Sequence, residues 1–488
     1  MSYYTAVAEW LELRMNEGPA TGDRRRGRVT RDLLRHTLNK IRRTDPERPT
    51  WQPPSWRARH KQTGRMTAVI PRHHAQGIAG LIEPDERLIL AHTPGDRLRL
   101  RATLAFVNDR IEPTLSASCY GGRPDAARRQ TDRRAALERF RRLVRDEGMR
   151  WAAKVDIRNF FDAIPHGPLT GLLHERIGDV GCIRELVGYL GWYWRQRWPE
   201  WTEPPGEPMG VPQGSPVSGA LANIYLTEFD RTLEAAGITF LRYLDDVTLL
   251  ARGPESLAMA LAETMRQLDR LAMPLRPEKT QAARLVAGEE SLPDLEVPGR
   301  GLRVPIARDL DVLGIHFLDA ERFRVREATV DRLLGKVRAE IRAGRGRRHE
   351  LARFFVASRR INQLLGYQVS RRRPGARKKP ITGTDGSATR IRVTSRRPEN
   401  RCWIAPMRYV QPRQHAVLGH SDLILEQMRR VDRTIRLWMK REFGPVLERR
   451  EERSSRRRGR PPKRLDAWRI RSAARMYEIA AGERSDVK

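Results

Sequence analysis

Four consecutive residues, Tyr243-Leu244-Asp245-Asp246, set two carboxylates side by side between short runs of β-branched and aliphatic residues. Ile238 to Arg242 precedes them and Val247 to Ala251 comes after, a pattern that predicts two strands joined tightly with the acidic pair at the tip. Adjacent like charges repel, so such a pair needs a compensating cation or open solvent. Upstream, Ala152-Ala153-Lys154-Val155-Asp156-Ile157 reads as another strand that ends in a carboxylate. Three aspartates on strand ends can hold two Mg²⁺ ions, the arrangement that in-line phosphoryl transfer uses. An Asp-Asp pair alone in a surface turn carries no such meaning. The third carboxylate and the strand setting supply it.

Periodicity places the surrounding elements. Residues 1–50 read as helical and basic, and the Pro- and Trp-containing stretch Pro49 to Trp56 separates them from the rest of the chain. A helix is expected from Asp132 to Glu147, with Gly148 past its end. Further helical patterns run from Leu169 to about Arg197, from Ser218 to Ala236 and over 256–272, with a Gly/Pro-rich loop from Pro204 to Pro216. Strands interleaved with helices over 150–320 predict an α+β layer with helices packed on one face of a small sheet. Beyond Phe317 the spacing turns helical at 327–345, 349–367 and 421–442. Arg371 to Asn400 is rich in Arg, Lys, Gly, Pro and Ser and reads as a loop or a segment ordered on binding. Arg449 to Arg464 is a second basic run.

Composition narrows the partner. The 488 residues carry 94 Lys and Arg against 60 Asp and Glu, a formal charge of +34. Such an excess points to a polyanion and away from enzymes of small metabolites. Arginine predominates, which suits bidentate phosphate contacts and stacking on bases. The three cysteines, Cys119, Cys182 and Cys402, lie far apart, which argues against a disulfide framework and against a zinc ribbon or zinc-stapled nuclease domain. His73-His74 has no matching ligands nearby. Met1 to Met15 carries Glu9, Glu12 and Arg14, unlike the apolar core of a signal peptide, and no run of about 18 apolar residues occurs. A cytoplasmic protein without a membrane span is expected.

With these residues in view, the chain resembles a bacterial reverse transcriptase of the group II intron-like, retroelement type. Lys154 to His166, with Asp156, Phe161 and Asp162, resembles the first palm motif, and Gly210 to Leu226, with Gln213, Gly214, Ser218 and Asn223, the second. Tyr243 to Asp246 resembles the third, Leu275 to Thr280 the fourth, and Leu313 to Phe317 the primer-grip hairpin. Ile111 to Pro113 and Ser118 to Pro124 resemble the fingers segment, so the likeness spans 81 to about 320 in order. It implies a right-hand polymerase: an N-terminal helical extension over 1–80, fingers over 81–151, and a palm with primer grip over 152–320. A helical thumb over 321–445 with the basic insertion 371–400 and a basic tail over 446–488 would complete the chain.

The resemblance also implies roles. Asp156 and Asp245 would ligate both Mg²⁺ ions, Asp246 would support them, and Ile157 would add a backbone carbonyl. Phe161 would lie under the sugar and exclude a 2′-hydroxyl; one of Phe160 and Phe161 must face the core. Gln213 and Gly214, just before a helix, would meet the incoming nucleotide. Arg87 would touch the triphosphate, and Lys279 would protonate the pyrophosphate as general acid. Arg359, Arg360, Arg433 and Arg436 fall on helices that resemble the thumb and would track phosphates. Arg458-Gly459-Arg460-Pro461 resembles an AT-hook core, though a flexible arm holding structured RNA fits the tract better.

The expected partners are an RNA template, a DNA product and deoxynucleoside triphosphates. Gly219 after Ser218, where the intron-type family usually has Pro, resembles the defence-associated branch, whose members respond to phage, often with a small non-coding RNA. Two rivals stay open: a maturase-like RNA-binding protein, and an enzyme of template-independent or protein-primed DNA synthesis. For the last, Tyr3, Tyr4, Tyr409 and Tyr477 are chemically possible primers.

Overall fold

The computed structural model describes residues 2–16, 31–43, 51, 55–60, 66–70, 86–123, 131–197, 206–273, 275–286, 292–343, 350–365, 421–458 and 473–474. The chain divides into two compact units, Met1–Arg284 with Glu289–Arg308, and Leu285–Gly288 with Asp309–Lys488.

The first unit is built on a six-stranded sheet. Its strands are β4 (Cys119–Tyr120), β5 (Trp151–Asp156), β6 (Thr239–Tyr243), β7 (Asp246–Ala251), β8 (Gln281–Arg284) and β11 (Ile306–Ala307), in the order β11-β8-β5-β7-β6-β4. The central pairs are antiparallel, whereas β11 with β8 and β4 with β6 are parallel. Five of the six residues of β7 are buried, as expected of a central strand covered on both faces. The helix α10 (Pro254–Arg270) packs on β5, on β7 and on β9 (Leu295–Val297), which pairs with β10 (Leu302–Val304). Around this sheet the core gathers apolar faces from α3 (Pro94–Ile111), α6 (His166–Ile177), α7 (Val180–Arg195), α8 (Ser218–Tyr225) and α9 (Thr227–Ala235).

Local chemistry sets the ends of these helices. Thr93 caps α3, accepting the Asp96 amide hydrogen at 3.2 Å while its own hydroxyl donates to Asp96 at 2.8 Å, with Pro94 at the first turn. Asp132 caps α4 (Arg133–Arg145) by accepting from the Ala135 amide at 3.0 Å, and Asp179 caps α7 through the Cys182 amide at 2.8 Å. The helical pattern read continuously from Leu169 breaks at Gly178-Asp179, where Gly178 takes a left-handed φ of +66°. The pattern read from Ser218 to Ala236 likewise divides at Leu226 into α8 and α9.

The N-terminal region differs from the all-helical extension expected over 1–80. The helices α1 (Tyr3–Asn16) and α2 (Arg31–Arg43) are there and pack on each other and on α3. Beyond them, β1 (Ser55–His60), β2 (Met66–Ile70) and β3 (Glu86–Ala91) form a sheet in the order β2-β1-β3. The reason is a two-residue alternation in β1: Trp56 and Ala58 are buried while Arg57 and Arg59 are exposed. Trp56 and Leu90 pack with Tyr193 of α7.

In the second unit, β12 (Leu310–Val312), β13 (Ile315–Phe317) and β14 (Phe323–Val325) form an antiparallel sheet. The primer-grip-like hairpin lies in this unit, whose long segment begins at Asp309. The helices α11 (Glu327–Arg342), α12 (Glu350–Leu364) and Asp422–Arg458 pack together, the last also on β14. Gln427 finishes the sheet edge, accepting from the Val325 amide and donating to its carbonyl, both at 2.9 Å. The last helix buries Ile424, Met428, Val431, Ile435, Met439 and Phe443, a stripe at helical spacing. The α+β class read from the sequence, a sheet backed by helices with a mostly helical C-terminal region, is the one the described residues adopt. His73-His74, Cys402, the insertion 371–400 and Gly459 to Pro461 lie outside the described residues.

Candidate active site

The strands β5, β7 and β6 carry the acidic residues to one end of the sheet. Asp156, last in β5, stands directly opposite Asp246, first in β7, and Tyr243 of β6 pairs with the same Asp246. The turn between β6 and β7 is only Leu244-Asp245, so Asp245 lies at its tip. Leu244 takes the left-handed region at φ +60°, which strains a residue with a Cβ by about 1–2 kcal/mol.

A buried arginine holds that strained turn. Arg242 is fully buried, and its guanidinium donates to both oxygens of the equally buried Asp230, at 2.7 and 2.5 Å. It donates further to Asn223 Oδ1 at 3.0 Å, to the Leu244 carbonyl at 3.2 Å and to Cys119 Sγ at 3.1 Å. Burial works to raise the Asp230 carboxyl, and Arg242 opposes it; burial also pushes the Cys119 thiol up, so it stays protonated. Asn223 donates in turn to the Gly121 carbonyl at 3.0 Å. A Cβ on Gly121, whose φ is +82°, would lie 2.8 Å from the Tyr243 ring, and one on Gly122 would lie 2.8 Å from Leu244 Cδ2. The loop carrying these glycines is braced by Arg123, which pairs with Glu112 and donates to the Ser116 and Cys119 carbonyls.

The carboxylates face cations. Lys154 Nζ lies 2.9 Å from Asp246 Oδ2. Arg276 Nε and Lys279 Nζ lie 3.6 and 3.7 Å from the same oxygen, Asp156 Oδ2. The segment carrying these two is tied to β5, since the Arg276 amide donates to the Asp156 carbonyl at 2.8 Å and Leu275 bridges Ile157. Among the described residues no group of three or more His, Cys, Asp or Glu forms a ready-made metal site. The site nevertheless fits a hard divalent cation in donor type and backbone register: three carboxylates on adjoining strand ends, with no sulfur or imidazole among them.

Of the expected nucleotide-side residues, Phe161 on the short helix α5 (Phe160–Ala163) is the half-buried member of its pair, edge-on to the buried Phe160 with ring centroids 5.1 Å apart. Its carbonyl accepts the Val211 amide at 2.7 Å, which brings the loop of Gln213 beside the residues just after Asp156. The Gln213 carbonyl accepts from the Leu90 amide at 2.8 Å. Gly214, at φ +102°, is pressed so closely on β3 that a Cβ would stand 2.8 Å from the Leu90 carbonyl oxygen. Arg87 lies on β3, with its side chain outside the described residues.

Arg360 is exposed on α12 and pairs with Glu340 at 2.8 Å, whereas Arg433 and Arg436 are exposed on the helix Asp422–Arg458. Arg359 has its side chain outside the described residues. Tyr3 is buried with its hydroxyl 2.7 Å from Thr103 Oγ1, and the Tyr4 hydroxyl is buried as well, so neither is placed to serve as a primer. Tyr409 and Tyr477 lie outside the described residues. No described helix is long and apolar enough to cross a membrane.

Sequence reasoning missed Arg242, Asp230, Lys154 and Arg276. The one available signal was Arg242 itself, a cation immediately before Tyr243 in an otherwise apolar strand.

Residues 97–318 match the family model described as reverse transcriptase (RNA-dependent DNA polymerase). Over 84 residues the chain is 38% identical to the putative COX1/OXI3 intron 2 protein of Saccharomyces cerevisiae, covering 17% of this chain and 10% of that one. Over 142 residues it is 30% identical to the group II intron-encoded protein LtrA of Lactococcus lactis subsp. cremoris, covering 28% and 21%. The chain thus spans between about a tenth and a fifth of the length of these curated relatives. Among solved structures, apo telomerase from Candida tropicalis aligns with a TM-score of 0.34 at 12% identity, covering 55% of this chain and 54% of that one. Over residues 97–318 this chain is similar to the reverse transcriptase family, and over 142 residues to a group II intron-encoded protein.

Proposed function

We propose that the protein is an RNA-directed DNA polymerase that copies a bound RNA with deoxynucleoside triphosphates and two Mg²⁺ ions. The observation that carries this reading is the register of Asp156 against Asp246 with Asp245 at the adjoining two-residue turn. Asp156 and Asp245 would hold the ions, with Asp246 and the Ile157 carbonyl in support. When bound, magnesium would lower the barrier to attack by the primer 3′-hydroxyl and neutralise charge on the departing pyrophosphate.

The chain's own residues do the rest. Arg242 holds the carboxylate turn in its strained shape, so the ligands are placed before substrate arrives. Lys154 pairs with Asp246 and fixes its carboxylate. Phe161 would sit beneath the sugar and reject a 2′-hydroxyl, Gln213 and Gly214 would line the nucleotide, and Arg87 would meet its triphosphate. Lys279 would give a proton to the pyrophosphate. Arg359, Arg360, Arg433 and Arg436 would track the phosphates of the duplex, a task the charge of +34 suits. We assign fingers, palm, thumb and basic tail to 81–151, 152–320, 321–445 and 446–488, in a cytoplasmic protein.

The finer role we assign is anti-phage defence with a dedicated non-coding RNA. It rests on the Ser218-Gly219 pair, and Gly219 also has a packing reason, since its Cβ would stand 3.1 Å from Gly122 Cα. The likeness to intron-encoded proteins favours a second reading, binding of an intron RNA as a maturase. Sequencing the RNA that co-purifies with the protein separates the two. One discrete small RNA supports the defence role, an intron supports the maturase, and heterogeneous RNA contradicts both.

A further inference from the structure

We propose that Arg276 is a second triphosphate-binding cation beside Lys279, held on Asp156 until metal and nucleotide arrive. The inference rests on the polymerase reading and adds a residue and an order of events to it.

The geometry around Arg276 has three parts. First, its backbone is fixed: the amide donates to the Asp156 carbonyl at 2.8 Å, and its own carbonyl accepts from the amides of Lys279 and Thr280, both at 3.1 Å, and from Thr280 Oγ1 at 3.0 Å. The turn from Arg276 to Thr280 is therefore a closed unit anchored on the metal-ligand strand. Second, the guanidinium rests on groups of that same strand end, Nη2 donating to Asn159 Oδ1 at 2.7 Å and Nε lying 3.6 Å from Asp156 Oδ2. Third, Lys279 Nζ approaches the same oxygen at 3.7 Å, so two cations share one carboxylate oxygen.

Such sharing is a resting arrangement. Both approaches are longer than a good charge-assisted hydrogen bond of about 2.7–2.9 Å, and both cations keep contact with water, Lys279 with more than half of its side chain exposed. A divalent ion held by Asp156 would compete with both cations for its carboxylate and repel them. A nucleoside triphosphate brings several negative charges to the place they vacate. The planar guanidinium, with five donors, matches phosphate oxygens in a bidentate way that an ammonium cannot. Arg276 thus competes with the metal in the free protein and helps the nucleotide in the complex, two effects of opposite sign that a merely structural residue would not produce.

The test uses the full chain with an RNA–DNA primer–template. Binding of Mg²⁺ with a non-hydrolysable α,β-imido deoxynucleoside triphosphate is measured by calorimetry, and binding of Mn²⁺ alone by electron paramagnetic resonance. Arg276→Gln is expected to weaken nucleotide binding about tenfold or more, as loss of a charge-assisted contact implies, while Mn²⁺ alone binds more tightly. Arg276→Lys is expected to recover part of the nucleotide affinity. Asn159→Gly, which frees the guanidinium and suits a backbone φ of +47°, is expected to leave nucleotide binding intact. Unchanged nucleotide affinity in Arg276→Gln, or weakening of metal and nucleotide together, overturns the proposal while the polymerase reading stands. A wild-type protein that binds neither probe overturns both.

Discussion

Replacing Arg242 with methionine tests whether the buried guanidinium is what holds the carboxylate turn. Methionine keeps an unbranched apolar stem and removes every donor. It leaves the carboxylate of Asp230, Asn223 Oδ1 and the Leu244 carbonyl without the donor each now has from Arg242. Breaking a buried ion pair by removing one partner costs about 3–5 kcal/mol, and a freed carbonyl adds about 1 kcal/mol or more. Urea unfolding monitored by circular dichroism should therefore show a loss of about 4–6 kcal/mol. The double variant Arg242→Met, Asp230→Leu removes both charges, and should recover at least about 2 kcal/mol of that loss as a coupling energy. DNA synthesis should stay impaired in this double variant, because Leu244 at φ +60° still lacks the bond that holds its carbonyl. A single variant less than about 1 kcal/mol below wild type, or two substitutions that simply add, would mean that the guanidinium does not hold the turn. So would a double variant with full synthesis.

Other consequences are more local. Gly121→Ala places a Cβ 2.8 Å from the Tyr243 ring at a φ of +82°, so a loss of about 1–3 kcal/mol and slower synthesis are expected in unfolding and primer-extension assays. Phe161→Ala should raise incorporation of ribonucleotides relative to deoxynucleotides in single-nucleotide extension; an unchanged ratio assigns the gate to another residue. His92 is half-buried, donor or acceptor to the Tyr189 hydroxyl at 2.7 Å, and desolvation together with Arg97 lowers its pKa to about 4. The unfolded chain, with His near 6.5, then binds more protons than the folded one between those values. Stability should be complete above about pH 6.5 and fall toward pH 4 by up to about 3 kcal/mol, and His92→Phe should flatten that limb in melting measured against pH.

The acidic centre was legible because its signals are local. Apolar runs flank Asp156 and Asp245-Asp246, and two residues suffice for the turn, so strands, turn and carboxylates could be read together, while the register of Asp156 against Asp246 came from the fold. The helix start at Asp132 was legible for the same reason, whereas the cap at Asp179 was read through as part of one continuous helix. The strand β1 was harder, since alternating Trp, Arg, Ala and Arg in a basic, Pro-rich stretch competes with the helical reading of its surroundings. The hairpin segment Leu313 to Phe317 was recognised, yet which unit it joins depends on its partner strand β14, which packs on the helix Asp422–Arg458 about a hundred positions away. The supporting shell was invisible because its members meet only in the fold. Arg242 takes one partner from α9 and another, Cys119, 123 positions away, and Arg276 reaches Asn159 across 117. Apart from Arg242, set in an apolar strand, a basic residue on a chain this basic gives no local sign that it is buried or paired.

Metal-dependent copying of RNA into DNA at the Asp156, Asp245 and Asp246 cluster stands or falls on one assay. It is extension of a DNA primer on an RNA template with Mg²⁺ and deoxynucleoside triphosphates, wild type beside Asp245→Asn, with folding of both checked by circular dichroism. Full-length DNA is expected from the wild type and none above background from the variant. Equal extension by a folded Asp245→Asn protein, or none by the wild type on any RNA template including the RNA it carries, would contradict that assignment.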